Sequence, residues 1–101
     1  MAYTLVAEFP GAVDWNSLNS LVLPYIEHFE FVPMPAERFG HPNALALSVP
    51  FKQATPPVWQ KLLEAIGEIK ATHGAQVFEM YSGNLLEDWR LPEIRRFFLG
   101  E

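Results

Sequence analysis

The stretch that decides the fold runs from Thr55 to Tyr81 and reads TPPVWQKLLEAIGEIKATHGAQVFEMY. Thr55 can cap a helix, and Pro56-Pro57 suit its first turn, where backbone N–H groups have no intrahelical partner. Gly74 suits the end, because glycine readily adopts the left-handed conformation that often closes a helix. The positions at helical spacing on one side are Trp59, Leu62, Leu63, Ile66, Ile69 and His73. Residues 75–81 then resemble a strand. We therefore expect a helix that lies on a sheet and leads into its next strand.

The chain before this helix predicts three more strands. Tyr3 to Phe9 alternates strictly between its two sides, which is typical of a strand with one buried face. His28 to Met34 also resembles a strand, but the prolines at positions 33 and 35 cannot donate to a ladder, so it should be an edge strand or leave the sheet early. Asn43 to Phe51 carries no charge on either side, which favours a central position in the sheet.

A second helix is predicted between the first two strands, with Asp14 as its cap. Its apolar positions are Trp15, Leu18, Leu21, Val22, Tyr25 and Ile26. Pro24 inside a helix would remove a hydrogen bond and clash with the carbonyl of Ser20, at a cost of about 3 kcal/mol. We expect either a kink at Pro24 or a break near Val22 followed by a short second turn. The apolar spacing continues across Pro24, which favours the kink.

The predicted order is strand, helix, strand, strand, helix, strand, followed by a C-terminal appendage at residues 85–101. This βαββαβ order is that of ferredoxin-like α+β domains. Right-handed crossovers would place both helices on one face of a four-stranded antiparallel sheet, with the first and third strands at its centre. At 101 residues, the chain has the length of a single domain, 1–101.

The C-terminal appendage predicts a short helix that begins near Leu91-Pro92-Glu93. Ile94, Phe97 and Phe98 would share one side of it, and the apolar cluster they form should dock either on this domain or on another molecule. The helix-free face of the sheet would also need a cover, either the C-terminal segment or a second copy of the chain. That face is expected to carry either Thr4, Val6, Ala44, Ala46 and Ser48 or the opposite set of side chains.

Composition and charge exclude several functional classes. The formal net charge is −5, and the chain has no cysteine, so disulfides and thiolate metal sites are excluded. Residues 1–37 contain five acidic residues and no Lys or Arg, whereas the acidic and basic residues of the remaining chain balance. This asymmetry predicts either simple solubility or an acidic surface for a basic partner. No basic stripe, signal peptide or long apolar run is visible, so we expect a cytoplasmic protein that binds neither nucleic acid nor a membrane.

Few residues indicate chemistry. The three histidines, His28, His41 and His73, have no spacing that would make a helical metal motif, and the glycines form no phosphate loop. No cofactor is therefore predicted. His41 lies in a Pro- and Gly-bounded loop with Glu37 and Arg38, and functional groups are often found in such loops. Most of the other polar residues fit structural roles.

Two functions from different classes fit these observations. The first is a small acidic, non-catalytic binding protein, such as an inhibitor, an immunity-type protein or a regulatory subunit, that docks on a protein partner. Its candidate binding residues are Asp14, Glu27, Glu30, Glu37, Arg38, His41, Phe97 and Phe98. The second is a small enzyme or ligand binder of the dimeric α+β barrel type, a homodimer that would use the open sheet face. Its polar candidates are His41, Glu8, Tyr81 and Glu79. The absence of a convergent catalytic set favours the binding protein.

Overall fold

The computed structural model describes residues 2–11, 13–35 and 43–100. Within these ranges the chain forms four strands and three α-helices, which confirms the α+β class. The elements are β1 (Ala2–Phe9), α1 (Trp15–Val22), β2 (Glu30–Pro35), β3 (Asn43–Pro50), α2 (Pro56–His73), β4 (Gln76–Glu79) and α3 (Leu91–Leu99). Within the described ranges, three short 3-10 helices lie between them, at Leu23–Tyr25, Phe51–Gln53 and Asp88–Arg90.

The four strands form one antiparallel sheet in the order β2-β3-β1-β4. β1 and β3 are therefore the central strands, and β2 lies at an edge, as the sequence predicted. β2 continues through both of its prolines, with Pro33 opposite Leu45, instead of leaving the sheet early. β4 is shorter than the predicted stretch because the chain turns at residues 80–82.

Local sequence signals explain the ends of α2. The Thr55 hydroxyl accepts a hydrogen bond from the Val58 amide at 3.4 Å, and two prolines occupy the first turn. At the other end Gly74 adopts a left-handed conformation with φ of 65°, and its amide donates to the Lys70 carbonyl. One face of α2 is buried, and it consists of Trp59, Leu62, Ala65, Ile66 and Ile69.

The first helix ends before Pro24, where the sequence predicted either a kink or a break. The Asp14 side chain caps α1 by accepting from the amides of Asn16 and Ser17. α1 then ends at Val22, and Pro24 lies in the 3-10 turn that follows. The break is thus observed instead of the kink, because ending α1 at Val22 avoids the clash that Pro24 would make inside a continuous helix.

All three helices contribute to one core. Its sheet residues include Tyr3, Leu5, Leu47 and Val77, and its α3 residues are Ile94 and Phe98. The C-terminal segment therefore packs on the helix side of the sheet, and the prediction that it covers the opposite face is wrong. The residues of that opposite face, Thr4, Val6, Ala44 and Ala46, are nonetheless buried within a single chain, and Ser48 is half-buried.

None of the helices in the described ranges is both long enough and apolar enough to cross a membrane.

Candidate functional site

A network of four polar side chains forms around Glu79, at the end of β4. One Glu79 carboxylate oxygen accepts from the Tyr3 hydroxyl at 2.8 Å. The other accepts from the Arg90 guanidinium at 2.5 Å and from the Ser82 hydroxyl at 3.1 Å. Arg90 also donates to the Leu85 carbonyl at 3.1 Å. We call Tyr3, Glu79, Ser82 and Arg90 the Glu79 cluster.

The sheet register explains why these residues meet. β1 and β4 are antiparallel with Leu5 opposite Glu79, and Tyr3 lies two residues from Leu5 on the same face of the sheet. The turn after β4 brings Ser82 back to Glu79, and the 3-10 helix before α3 supplies Arg90. The Glu79 cluster therefore ties the start of β1, the end of β4 and the start of α3 together.

The electrostatics of the Glu79 cluster indicate a fixed charge distribution. Burial tends to raise the pKa of Glu79, but hydrogen bonds from Tyr3, Arg90 and Ser82 outweigh it and leave that pKa lowered. The pKa of Tyr3 is raised, first by burial and then by its bond to the Glu79 carboxylate. The hydrogen bond to Glu79 likewise raises the pKa of Arg90. At neutral pH Glu79 is thus ionised while Tyr3 and Arg90 are protonated, so their hydrogen bonds to Glu79 are charge-assisted.

A pocket of about 210 Å³ lies beside the Glu79 cluster. Its lining residues are Glu79, Tyr81, Arg90, Glu93, Ile94 and Phe97. The Tyr81 hydroxyl donates to the Ala2 carbonyl, which fixes this side chain against the start of β1. The Phe97 ring packs edge-on against Phe51, with 5.8 Å between the ring centroids. We call this the α3 pocket. It is smaller than the 300–1,000 Å³ that ordinarily encloses a drug-sized ligand.

A second groove lies on the other side of Arg90, and its volume is about 350 Å³. Its lining residues are Asn84, Leu85, Glu87, Trp89 and Arg90. The Trp89 indole N–H donates to the Glu87 carboxylate, so the ring is held although it is exposed. Since Arg90 lines both cavities, they form one continuous surface. We call it the C-terminal aromatic surface, and its exposed apolar side chains are Tyr81 (61% exposed), Leu85 (40%), Trp89 (73%) and Phe97 (58%).

The acidic residues that the sequence predicted as a binding surface do not all lie together in the structure. The carboxylate of Asp14 caps α1, whereas Glu27 and Glu30 line a groove of about 210 Å³ with His28 and Gln53. Asp14 precedes α1, Glu27 follows the 3-10 turn after it, and the lining of the groove around Glu27 does not include Asp14. The structure brings Glu27 and Glu30 together but does not join Asp14 to them. Glu37, Arg38 and His41 lie outside the described residues.

The two adjacent phenylalanines of α3 have different environments. Phe98 is fully buried, and its ring lies 5.3 Å from that of Trp59 and 5.8 Å from that of Tyr3. Its side chain is therefore unavailable to a partner, contrary to its grouping with Phe97 as a docking residue. Phe97 is exposed at the mouth of the α3 pocket, and its binding role stays a prediction.

Sequence reasoning missed Trp89, and it assigned Glu79 and Tyr81 to the open sheet face. One signal was present: Trp89 stands among Glu87, Asp88 and Arg90, where no apolar periodicity would direct the ring into a core. The Glu79 cluster had no such signal, because 76 positions separate Tyr3 from Glu79.

No group of three potential metal-binding side chains occurs within residues 2–11, 13–35 and 43–100. Comparison of the chain with protein-family models, with curated proteins and with solved structures finds no match. The function is therefore argued from the geometry of the candidate site.

Proposed function

We propose that this chain is a non-catalytic binding protein that docks on a protein partner through the C-terminal aromatic surface, as an inhibitor, an immunity-type protein or a regulatory subunit would. One observation carries the proposal. Three aromatic side chains and one leucine, all substantially exposed, surround two grooves that meet at a single arginine. Exposed apolar patches of this kind typically mark interaction sites.

The residue types support a protein as the partner. Trp, Tyr and Arg are the residues most enriched among those that dominate protein–protein binding energies, and the surface contains Trp89, Tyr81 and Arg90. A tryptophan that is 73% exposed in the free chain leaves most of its ring area to be buried on association. The two grooves beside it offer concave places for side chains of a partner.

The clamped geometry also supports binding. Arg90 is held by Glu79 and by the Leu85 carbonyl, Trp89 by Glu87, and Tyr81 by the Ala2 carbonyl. Side chains that are already ordered lose less conformational entropy when a partner associates. Because the Glu79 cluster has no group poised to exchange a proton at neutral pH, the same surface gives little support to acid–base catalysis.

We also propose that the domain is ferredoxin-like. The order of elements, βαββαβ, and the central position of β1 and β3 in a β2-β3-β1-β4 sheet support this assignment. A cytoplasmic location, which a chain without cysteine favours, stays a prediction.

The dimeric α+β barrel has less support. That arrangement needs a free sheet face, but Val6 is 1% exposed and Ala44 is 0% exposed within a single chain. Of its polar candidates, Glu79 bonds to Tyr3 on the helix side of the sheet. Glu8, another of its polar candidates, does lie on the opposite face, where it is 5% exposed.

The test compares two double variants in a pull-down from the cells of origin. Trp89→Ala/Phe97→Ala removes two rings of the proposed surface, and Leu23→Ala/Ile26→Ala removes two exposed apolar side chains elsewhere. We expect a protein that the wild type and the control variant retain and that Trp89→Ala/Phe97→Ala loses. Thermal melts check that all three proteins are folded. A set of captured proteins that does not differ between the two double variants would contradict the proposal.

A further inference from the structure

We propose that the α3 pocket receives one Lys or Arg side chain from a basic segment of the partner, inserted between Tyr81 and Phe97. This inference rests on the proposed docking function of the C-terminal aromatic surface and names the chemistry that the surface recognises. The charge, the rings and the size of the pocket each point to this occupant.

The charge of the pocket is the first argument. Glu79 and Arg90 pair with each other, so their charges offset within the lining. Glu93, in the first turn of α3, is exposed; Arg90 attracts it electrostatically, but no residue of the described ranges forms a hydrogen bond or an ion pair with it. The lining therefore keeps one negative charge in excess, and that charge is carried by a carboxylate with free acceptor oxygens.

The rings are the second argument. Tyr81 and Phe97 are both more than half exposed and line the same pocket, so an entering group would contact both aromatic side chains. A cation over such a ring is attracted by its quadrupole, and the attraction grows as the site loses water. Glu93 on the rim and the two rings together would hold a cation at its charged end and along its stem.

Size and existing hydrogen bonds exclude other occupants. A volume of about 210 Å³ is below that of ordinary small-molecule pockets, but it is sufficient for a single side chain. An anionic group would have to bind at Arg90, whose charge is already offset by the ion pair with Glu79. It would also face the Glu93 carboxylate.

A second copy of this chain is a poor occupant for the same reason. The chain has a formal net charge of −5, and the grooves are lined by Glu79, Glu87 and Glu93 with Arg90 as their one basic residue. A symmetric contact would place these carboxylates against their own copies, and like charges at an interface disfavour association. A basic segment of a different protein meets the surface with complementary charge.

The experiment is an NMR titration with three short peptides of one design. The first carries two arginines between leucines, the second has glutamine in place of arginine, and the third has glutamate there. We expect the arginine peptide to shift the amide signals of residues around Tyr81, Glu93 and Phe97, at low ionic strength and at pH 7. The glutamine peptide should bind at least about threefold more weakly, because it lacks the ionic contact with Glu93 and the cation–π contact with the rings.

Two variants and a matched control locate the interaction. Glu93→Gln removes the negative charge of Glu93 and should lower the affinity for the arginine peptide about three- to fivefold. Phe97→Leu keeps an apolar side chain but removes the aromatic ring, and it should lower the affinity for the arginine peptide about two- to fivefold. Glu30→Gln, in the separate groove near Gln53, is the control and should weaken the affinity much less than Glu93→Gln, because it acts only through the long-range field.

Each other outcome overturns the inference. Equal binding of the arginine and glutamine peptides would show that no cation is recognised, and tighter binding of the glutamate peptide would assign the pocket to an anion. If Glu30→Gln weakens binding of the arginine peptide and Glu93→Gln does not, the basic segment binds at the groove near Gln53. If no peptide binds while Trp89→Ala/Phe97→Ala still loses its partner, the docking function stands and only the cationic occupant is wrong.

Discussion

At the scale of single residues, Glu79 decides how the candidate site is held. Its carboxylate is largely buried and accepts three side-chain hydrogen bonds that come from three segments of the chain. We expect Glu79→Gln to destabilise the fold by about 1–3 kcal/mol at pH 7, because hydrogen bonds to a charged acceptor are lost or weakened. The measurement is urea denaturation, with the exposed Glu93→Gln as the matched control, for which we expect a change within about 0.5 kcal/mol.

The same carboxylate predicts a pH dependence. The pKa of Glu79 is lower in the folded chain than in the unfolded chain, so its stabilising contribution is complete above the unfolded value of about 4.3. That contribution is lost as the pH falls through the lower folded value. The stability difference between wild type and Glu79→Gln should therefore shrink below about pH 4.3. A difference that stays constant from neutral to strongly acidic pH would show that the charge of Glu79 is not what stabilises the cluster.

The pair Phe97 and Phe98 separates burial from exposure at adjacent positions of one helix. Phe98 is fully buried against Trp59 and Tyr3, so Phe98→Ala should cost about 3–5 kcal/mol of folding free energy. Phe97 is 58% exposed, and Phe97→Ala should cost less than about 1 kcal/mol while weakening partner binding. Chemical denaturation of both variants makes the comparison. Similar losses of stability would mean that α3 does not pack as described.

At the scale of elements, two glycines of the α2 region have opposite roles. Gly67 lies inside the helix with no atom near the position of an added Cβ, so Gly67→Ala should stabilise the chain by about 0.4–1 kcal/mol. Gly74 ends the helix with φ of 65°, where an L side chain is strained, so Gly74→Ala should destabilise it by about 1–2 kcal/mol. Thermal melts of the two variants should move in opposite directions. A shift in the same direction would contradict the left-handed helix end.

At the scale of the whole molecule, the uneven charge bears on how fast a basic partner arrives. Glu27 and Glu30 line a groove that shares no residue with the C-terminal aromatic surface, so they act on a partner there only through the long-range field. We expect Glu27→Lys/Glu30→Lys to leave the melting temperature nearly unchanged and to slow association with the captured partner at low salt. The dissociation rate should stay the same.

Salt provides the control for this prediction. Above about 0.1 M the Debye length falls below about 10 Å, and the association rates of wild type and charge variant should converge. Trp89→Ala, in contrast, should act mainly on the dissociation rate, because it removes a contact. Association rates that do not respond to salt or to the charge reversal would mean that the acidic first third serves only solubility.

Features that depend on neighbouring residues could be predicted from the amino-acid sequence. The cap at Thr55, the left-handed end at Gly74 and the alternation of β1 are local consequences of backbone chemistry and periodicity, and the structure confirms them. Pro24 restricted the first helix to two outcomes, a kink or a break, and the structure shows the break at Val22. The order of elements likewise predicted an antiparallel sheet with β1 and β3 at its centre.

The side chains of the candidate site are brought together by tertiary packing. Apolar spacing predicted that Ile94, Phe97 and Phe98 share one side of α3. The packed helix buries Ile94 and Phe98, which are four positions apart and so lie on the same face, and it leaves Phe97 exposed to solvent. The Glu79 cluster joins Tyr3 to a residue 76 positions away, through a strand register and a helix position that no local pattern encodes. Local signals fix what a segment is, because they act over one or two turns or a few strand residues. The site depends on how segments meet, and that is set by the packing of the whole core.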